Sequence, residues 1–256
     1  MLRQLLNLWL GISIALVIGC SKSDAKKPLT IATAASLAGP FKAISDEYTK
    51  QTGTKVSLVI ASSGKLSQQI IEGAPYDIFA SANFLYTEQL VDANEAIENT
   101  QVVIAQGRLA MWVKSGTAPA NLSELLDKRF EHVAIANPKH APYGFAAKEA
   151  LEAKHLWPKL AGKLVRGSNV RQAMQFAESG NAEVALIAHS LALRGGGSYT
   201  LVEQSLHNPL DQVLIVLSRT KKSDEAIKFI KFVQSDAGRA MLTPYGLIAS
   251  PPPREP

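Results

Sequence analysis

Four times along this chain a short apolar run ends in small polar residues and passes at once into a helical pattern. Lys55-Val-Ser-Leu-Val-Ile-Ala61 runs into Ser62-Ser63-Gly64, with Leu66, Ile70 and Ile71 behind it. His132-Val-Ala-Ile135 runs into the turn-rich stretch Asn137 to Gly144 ahead of a helix predicted over 145–154, and Val165-Arg-Gly precedes Ser168-Asn169 and a helix carrying Val170, Ala173, Met174 and Ala177. The first instance is Thr30 to Leu37, after which Leu37, Phe41, Ile44 and Tyr48 recur at helical spacing. Such alternation predicts an α/β protein with largely parallel sheets. In such sheets the loops after the strands share one edge, where ligands gather. Each of these loops also opens a helix, whose first N–H groups have no intrahelical partner and whose dipole is positive there. The pattern predicts a place for an anion. For Ser36 taken alone, the plain expectation is a capping serine.

The rest of the chain adds helices over 83–91 and 224–233, the second with Ile227, Ile230 and Phe232 inward, and strands at 78–80, 102–105, 109–113, 184–187 and 213–217. Asn121 with Glu124 resembles a capping box. The break at Gln106-Gly-Arg108 reads as a crossing between domains, and the strand from Val213 as the return.

The amino terminus sets the compartment. Arg3 precedes an apolar stretch from Leu5 to Ile18, short and early enough to read as a signal peptide over 1–19. Val17-Ile18-Gly19-Cys20 is similar to a bacterial lipobox, and Cys20 is the one cysteine, so no disulfide forms within the chain. The similarity implies a lipid on Cys20, followed by a polar tether over 20–27. The net charge of +5 over 256 residues is mild and scattered, which argues against a nucleic-acid partner.

Ser62-x-x-Lys65, Ser81-x-Asn83 and Lys114-Ser-Gly116 occur in the order used by serine acyl-transfer enzymes of the β-lactamase type. The short interval between the first two leaves no room for the helical region such enzymes insert there. The five histidines have no metal-ligand spacing on one helix face, and no acid–base pair of carboxylates stands out.

Ala34-Ala-Ser-Leu37, Ala61-Ser-Ser63, Gly73-Ala-Pro-Tyr-Asp77, Asn137 to Gly144 and Ala147-Lys-Glu-Ala-Leu151 together resemble, in order and spacing, the periplasmic molybdate-binding proteins of molybdate ABC importers. The resemblance covers 29–250. It implies a two-lobed type II periplasmic-binding-protein fold with the ligand cleft between lobes joined by crossing strands: 28–108 and 213–250 in one lobe, 109–212 in the other, and an extended tail over 251–256. It also implies a monomer that binds molybdate or tungstate without a cofactor or a direct metal ligand, exported and lipid-anchored, and serving an ABC importer permease. Family ligands transfer to Ser36 and Ser63 in the first lobe and to Tyr143 and Val170 in the second. His189 stands where some members place a tyrosine that closes the site, and the Tyr143 hydroxyl can supply that donor instead. Gly64 replaces what is often a third serine, leaving a backbone donor without a hydroxyl. A binding protein for sulfate or phosphate on the same fold is the alternative, although protonated phosphate calls for a carboxylate that the loops around Ser36 and Ser63 lack.

Overall fold

The computed structural model describes residues 27–250. The signal segment 1–19, Cys20, the tether up to residue 26 and the tail 251–256 lie outside the described residues.

The chain begins with β1 (Leu29–Ala34), a 3-10 turn at Ala35–Leu37 that continues into α1 (Ala38–Thr52), β2 (Val56–Ala61), α2 (Ser63–Ile71), β3 (Ile78–Ser81), α3 (Phe84–Asp92) and β4 (Val102–Gly107). It continues through β5 (Leu109–Val113), β6 (Val133–Ala136), α4 (Pro142–Ala153), α5 (Trp157–Leu160), β7 (Leu164–Gly167), α6 (Val170–Glu178), β8 (Val184–Ala188), α7 (His189–Ala192) and β9 (Ser198–Leu201). The last elements are β10 (Leu210–Val216), α8 (Ser223–Gln234), α9 (Asp236–Ala240) and β11 (Ile248–Ala249).

These strands form two mixed sheets. One has the order β11-β4-β10-β3-β1-β2 and the other β7-β6-β8-β5-β9. β1 pairs parallel with β2 and β3, and β6 pairs parallel with β7 and β8, so the ends of β1, β2, β6 and β7 deliver their loops to the facing edges of the two sheets. β10 and β5 run antiparallel to their neighbours. The chain leaves the first sheet through Gly107 and Arg108 and re-enters it at Leu210, three residues earlier than its apolar run suggests.

The central strands are buried on both faces, which explains their unbroken apolar runs: β5, β6 and β8 are buried at every position. α8 buries Ala226, Phe229, Ile230 and Val233, whereas Ile227 and Phe232 are half-buried. Thus the inward stripe falls at 226, 229, 230 and 233, the helical period, shifted from the expected one. Asn121 caps its short 3-10 helix by accepting from the Ser123 N–H, and Glu124 reaches back to accept from the Ala120 N–H, one residue before the cap, so the expected capping box forms shifted by one residue at each bond. Asp77 has a structural task. Its carboxylate accepts from the Thr30 N–H (2.7 Å), the Thr220 hydroxyl (2.6 Å) and Lys222 (2.9 Å), tying the start of β1 to the loop before α8. Among the described residues no helix is long and apolar enough to cross a membrane.

Candidate functional site

Where the facing edges of the sheets meet, a small cavity is lined by Ala34, Ala35, Ser36, Ser62, Ser63 and Ala82 from the first sheet and by Ala141, Pro142, Tyr143, Asn169 and Val170 from the second. It holds no carboxylate and no cationic side chain. Ser36, Ser63, Tyr143 and Val170, the positions singled out in the sequence, come together here although up to 134 residues separate them. All four are buried.

Each residue is held differently. Ser36 does not cap a helix. It sits inside the 3-10 turn rather than before it, makes no capping bond, and its buried Oγ has no partner. The capping expectation is corrected here: the 3-10 turn moves the helix start ahead of the serine. Ser63 opens α2, and its Oγ accepts from the Ala82 N–H at 3.1 Å. That bond uses a lone pair and leaves the hydroxyl proton uncommitted. α4 starts at Pro142, three residues earlier than its pattern predicts, which puts Tyr143 in the first turn. The Tyr143 hydroxyl is also buried and without a partner. Burial holds this phenol far above its ordinary pKa, with the adjacent Ser36 hydroxyl offsetting part of the push, so it stays a neutral donor. Val170 is the first residue of α6, and Asn169 caps that helix by accepting from the Gln172 N–H at 3.0 Å. That bond occupies the first-turn N–H of Gln172 and leaves the Val170 N–H at the cavity.

His189 is not part of this cavity. It opens α7, and its ring Nε2 lies 3.1 Å from the Tyr199 hydroxyl while Nδ1 faces Gly246. The ring is engaged by Tyr199 and Gly246 rather than by the residues that line the cavity. Burial lowers its pKa, with Arg108 adding to the effect and the Gly246 backbone offsetting part.

Hydrogen bonds cross between the loops beside the cavity. The Gly64 N–H donates to the His140 carbonyl (2.9 Å), Ser62 Oγ lies 2.9 Å from His140 Nδ1, and the Ser190 hydroxyl donates to the Ser36 carbonyl (2.8 Å). The backbone donor of Gly64, expected to face a ligand, is thus committed to closure. A Cβ at Gly64 would sit 2.7 Å from the His140 oxygen and 2.8 Å from the Tyr86 ring, so a side chain has no room here. Burial, and then Lys65, lower the pKa of His140 and keep the ring neutral.

The three motifs that suggested an acyl-transfer enzyme go to separate tasks. Ser62 contacts His140, Ser81 donates to the Asn83 carbonyl, and Lys114 donates to the Glu178 carbonyl. Ser62 does line the cavity, a place the sequence marked only through its neighbour Ser63.

A family model described as bacterial extracellular solute-binding protein matches residues 29–248. The molybdate-binding protein ModA of Rhodobacter capsulatus is 32% identical over 237 residues, covering 92% of this chain and 94% of that one. The solved periplasmic molybdate-binding protein of Azotobacter vinelandii superimposes with a TM-score of 0.83 at 26% identity, over 87% of this chain and 100% of that one. The sulfate-binding protein SubI of Mycobacterium tuberculosis H37Rv has a TM-score of 0.74 at 14% identity, over 86% of each chain, a likeness of fold alone. The two-lobed α/β architecture is that of periplasmic binding proteins, and this chain belongs to the bacterial extracellular solute-binding protein family.

Proposed function

We propose that this protein captures molybdate or tungstate in the cavity between its two sheets and presents it to an ABC importer. One observation carries the proposal: two buried hydroxyls without partners, Ser36 Oγ and Tyr143 Oη, converge with the first turns of α2, α4 and α6 on a cavity that contains donors and no carboxylate. A fully deprotonated tetrahedral dianion accepts at every oxygen, so a set of donors suits it. Neutral hydroxyls and helix N-termini hold such an ion without a buried cation. Ser36 and Ser63 contribute hydroxyls, Val170 a backbone N–H, and Tyr143 a backbone N–H and its hydroxyl. The names of the relatives support molybdate over other oxyanions, whereas the fold, shared with a sulfate-binding protein, does not choose between them. The lipid on Cys20 and the permease partner belong to the same proposal and place the protein on the outer face of a cell membrane.

Titration calorimetry with molybdate, tungstate, sulfate and phosphate tests this. Molybdate and tungstate should bind with similar affinity and sulfate more weakly. Phosphate should bind most weakly, because at neutral pH it carries protons that need an acceptor. Phosphate bound as tightly as molybdate would overturn the donor-only reading of the site.

A further inference from the structure

We infer that Gln212 positions the Tyr143 hydroxyl as a donor to the bound oxyanion, acting from the strand by which the chain returns to the first sheet. The inference rests on the oxyanion reading of the cavity above.

Gln212 lies in the otherwise apolar part of β10, Gln212-Val-Leu-Ile-Val216, and is fully buried. A buried amide in a central strand is destabilising unless hydrogen-bonded. Its Nε2 donates to the Leu210 carbonyl at 2.6 Å, and its Oε1 has no partner. The Leu210 bond fixes the orientation of the amide, since the flipped form would set Oε1 against a carbonyl oxygen. One N–H of Nε2 therefore remains uncommitted. The register between β10 and β4 shifts between Gln212 and Val213, an irregularity of the kind that re-aims a side chain beside a functional site.

Gly107 shows where that amide points. It is the last residue of β4, pairs with Leu210, and has no positive φ, so backbone freedom is not what requires glycine. A Cβ there would lie 2.2 Å from Tyr143 Oη and 3.1 Å from Gln212 Nε2. The phenol oxygen and the amide nitrogen crowd the same point, which the missing side chain leaves to them. A neutral phenol has one proton to give and lone pairs to receive. With Nε2 beside it as donor only, Oη is left to direct its proton into the cavity, toward Ser36 and the anion. In the structure the two groups are neighbours short of a hydrogen bond. An oxyanion that draws on the phenol proton makes Oη a better acceptor and completes the chain Gln212 to Tyr143 to anion. Tyr143, from the second sheet, thereby meets the last residue of the outgoing strand and the third of the returning one.

Calorimetric titration of molybdate into the wild type, Gln212→Leu, Tyr143→Phe and the double variant tests this. Tyr143→Phe should weaken binding by about 10- to 100-fold, the loss of a hydrogen bond to a charged group. Gln212→Leu should weaken it by roughly 2- to 10-fold, the worth of a neutral bond, without lowering the melting temperature of the anion-free protein. The double variant should bind no more weakly than Tyr143→Phe. Gln212→Glu, which sets a carboxylate near the dianion, should bind poorly at neutral pH and recover as the pH falls and the carboxylate is protonated. If leucine at 212 does not fold, Gln212→Met keeps the length without the amide and carries the same comparison. Wild-type affinity in Gln212→Leu, or a loss that adds in full to that of Tyr143→Phe, overturns the inference while leaving the site intact. Absence of oxyanion binding by the wild type would instead sink the reading on which it rests.

Discussion

Replacing Ser36 by alanine should push stability and affinity in opposite directions. The Ser36 hydroxyl is buried at 2% exposure, beside the Tyr143 hydroxyl but short of hydrogen-bond geometry with any protein group, and a buried hydroxyl left unsatisfied costs up to roughly 1–3 kcal/mol. Alanine removes that cost and loses only a few contacts, so the anion-free variant should be more stable by up to about 1 kcal/mol. For a chain of this size that raises the melting temperature by about 2–4 °C. With molybdate the balance reverses. The lost bond to a charged oxygen is worth about 1.5–3 kcal/mol, or roughly 10- to 100-fold in Kd. At a molybdate concentration a thousand times the wild-type Kd, binding stabilises the wild type by about 4 kcal/mol and the variant by about 1.4–2.7 kcal/mol less. The melting curves of the two proteins should therefore exchange order when molybdate is added. A variant that melts lower without the anion and binds molybdate as tightly as the wild type would return Ser36 to a structural role and refute the argument.

Gly64→Ala should weaken molybdate binding by about tenfold, because its Cβ would clash with the His140 carbonyl and the Tyr86 ring and remove one cross-sheet bond; unchanged affinity by calorimetry would show that this contact does not contribute to closure. His189 has its folded pKa lowered, so its contribution to stability is complete above the unfolded value of about 6.5 and is lost as pH falls through the lower folded value. Acid should thus destabilise the wild type more than His189→Gln in melts across the histidine range, while a tenfold affinity loss in that variant at neutral pH would restore His189 to the site. Cys20→Ala should move the protein from the membrane to the soluble fraction, and a variant that resists a salt wash would remove the lipid from the account.

The alternation of strands and helices was legible because both signals are local: period, apolar run and turn residues lie within about a dozen positions of each other. The place of Ser63 follows from the same reading, since it begins a helix after a parallel strand, whereas Val170, at an equivalent helix start, was marked by the family resemblance. Ser36 shows where local reasoning stops. A serine before a helix and a serine inside a 3-10 turn have the same neighbours in sequence, and only the backbone at Ala34 to Leu37 decides whether the hydroxyl caps or stays free. His189 could not be placed from the sequence for a different reason. The resemblance sets it at the place of a tyrosine, but its ring is set by Tyr199 and by Gly246, the latter 57 residues further on.

Gln212 and Gly107 were invisible in principle. A lone glutamine in an apolar strand reads as the polar face of a half-exposed strand, and only the placement of β10 between β3 and β4 buries it. Gly64 and Gly107 share a deeper difficulty, because neither has a positive φ and neither is required by its own turn. Each is required by a residue from the opposite sheet, His140 for Gly64 and Tyr143 for Gly107. Closeness between the sheets is therefore encoded partly as missing side chains, a signal that has no meaning until the other lobe's loops are in position. The helix starts proposed to receive the anion are written in local pattern, and the close approaches at Gly64 and Gly107 are written in the complement between two distant stretches of chain.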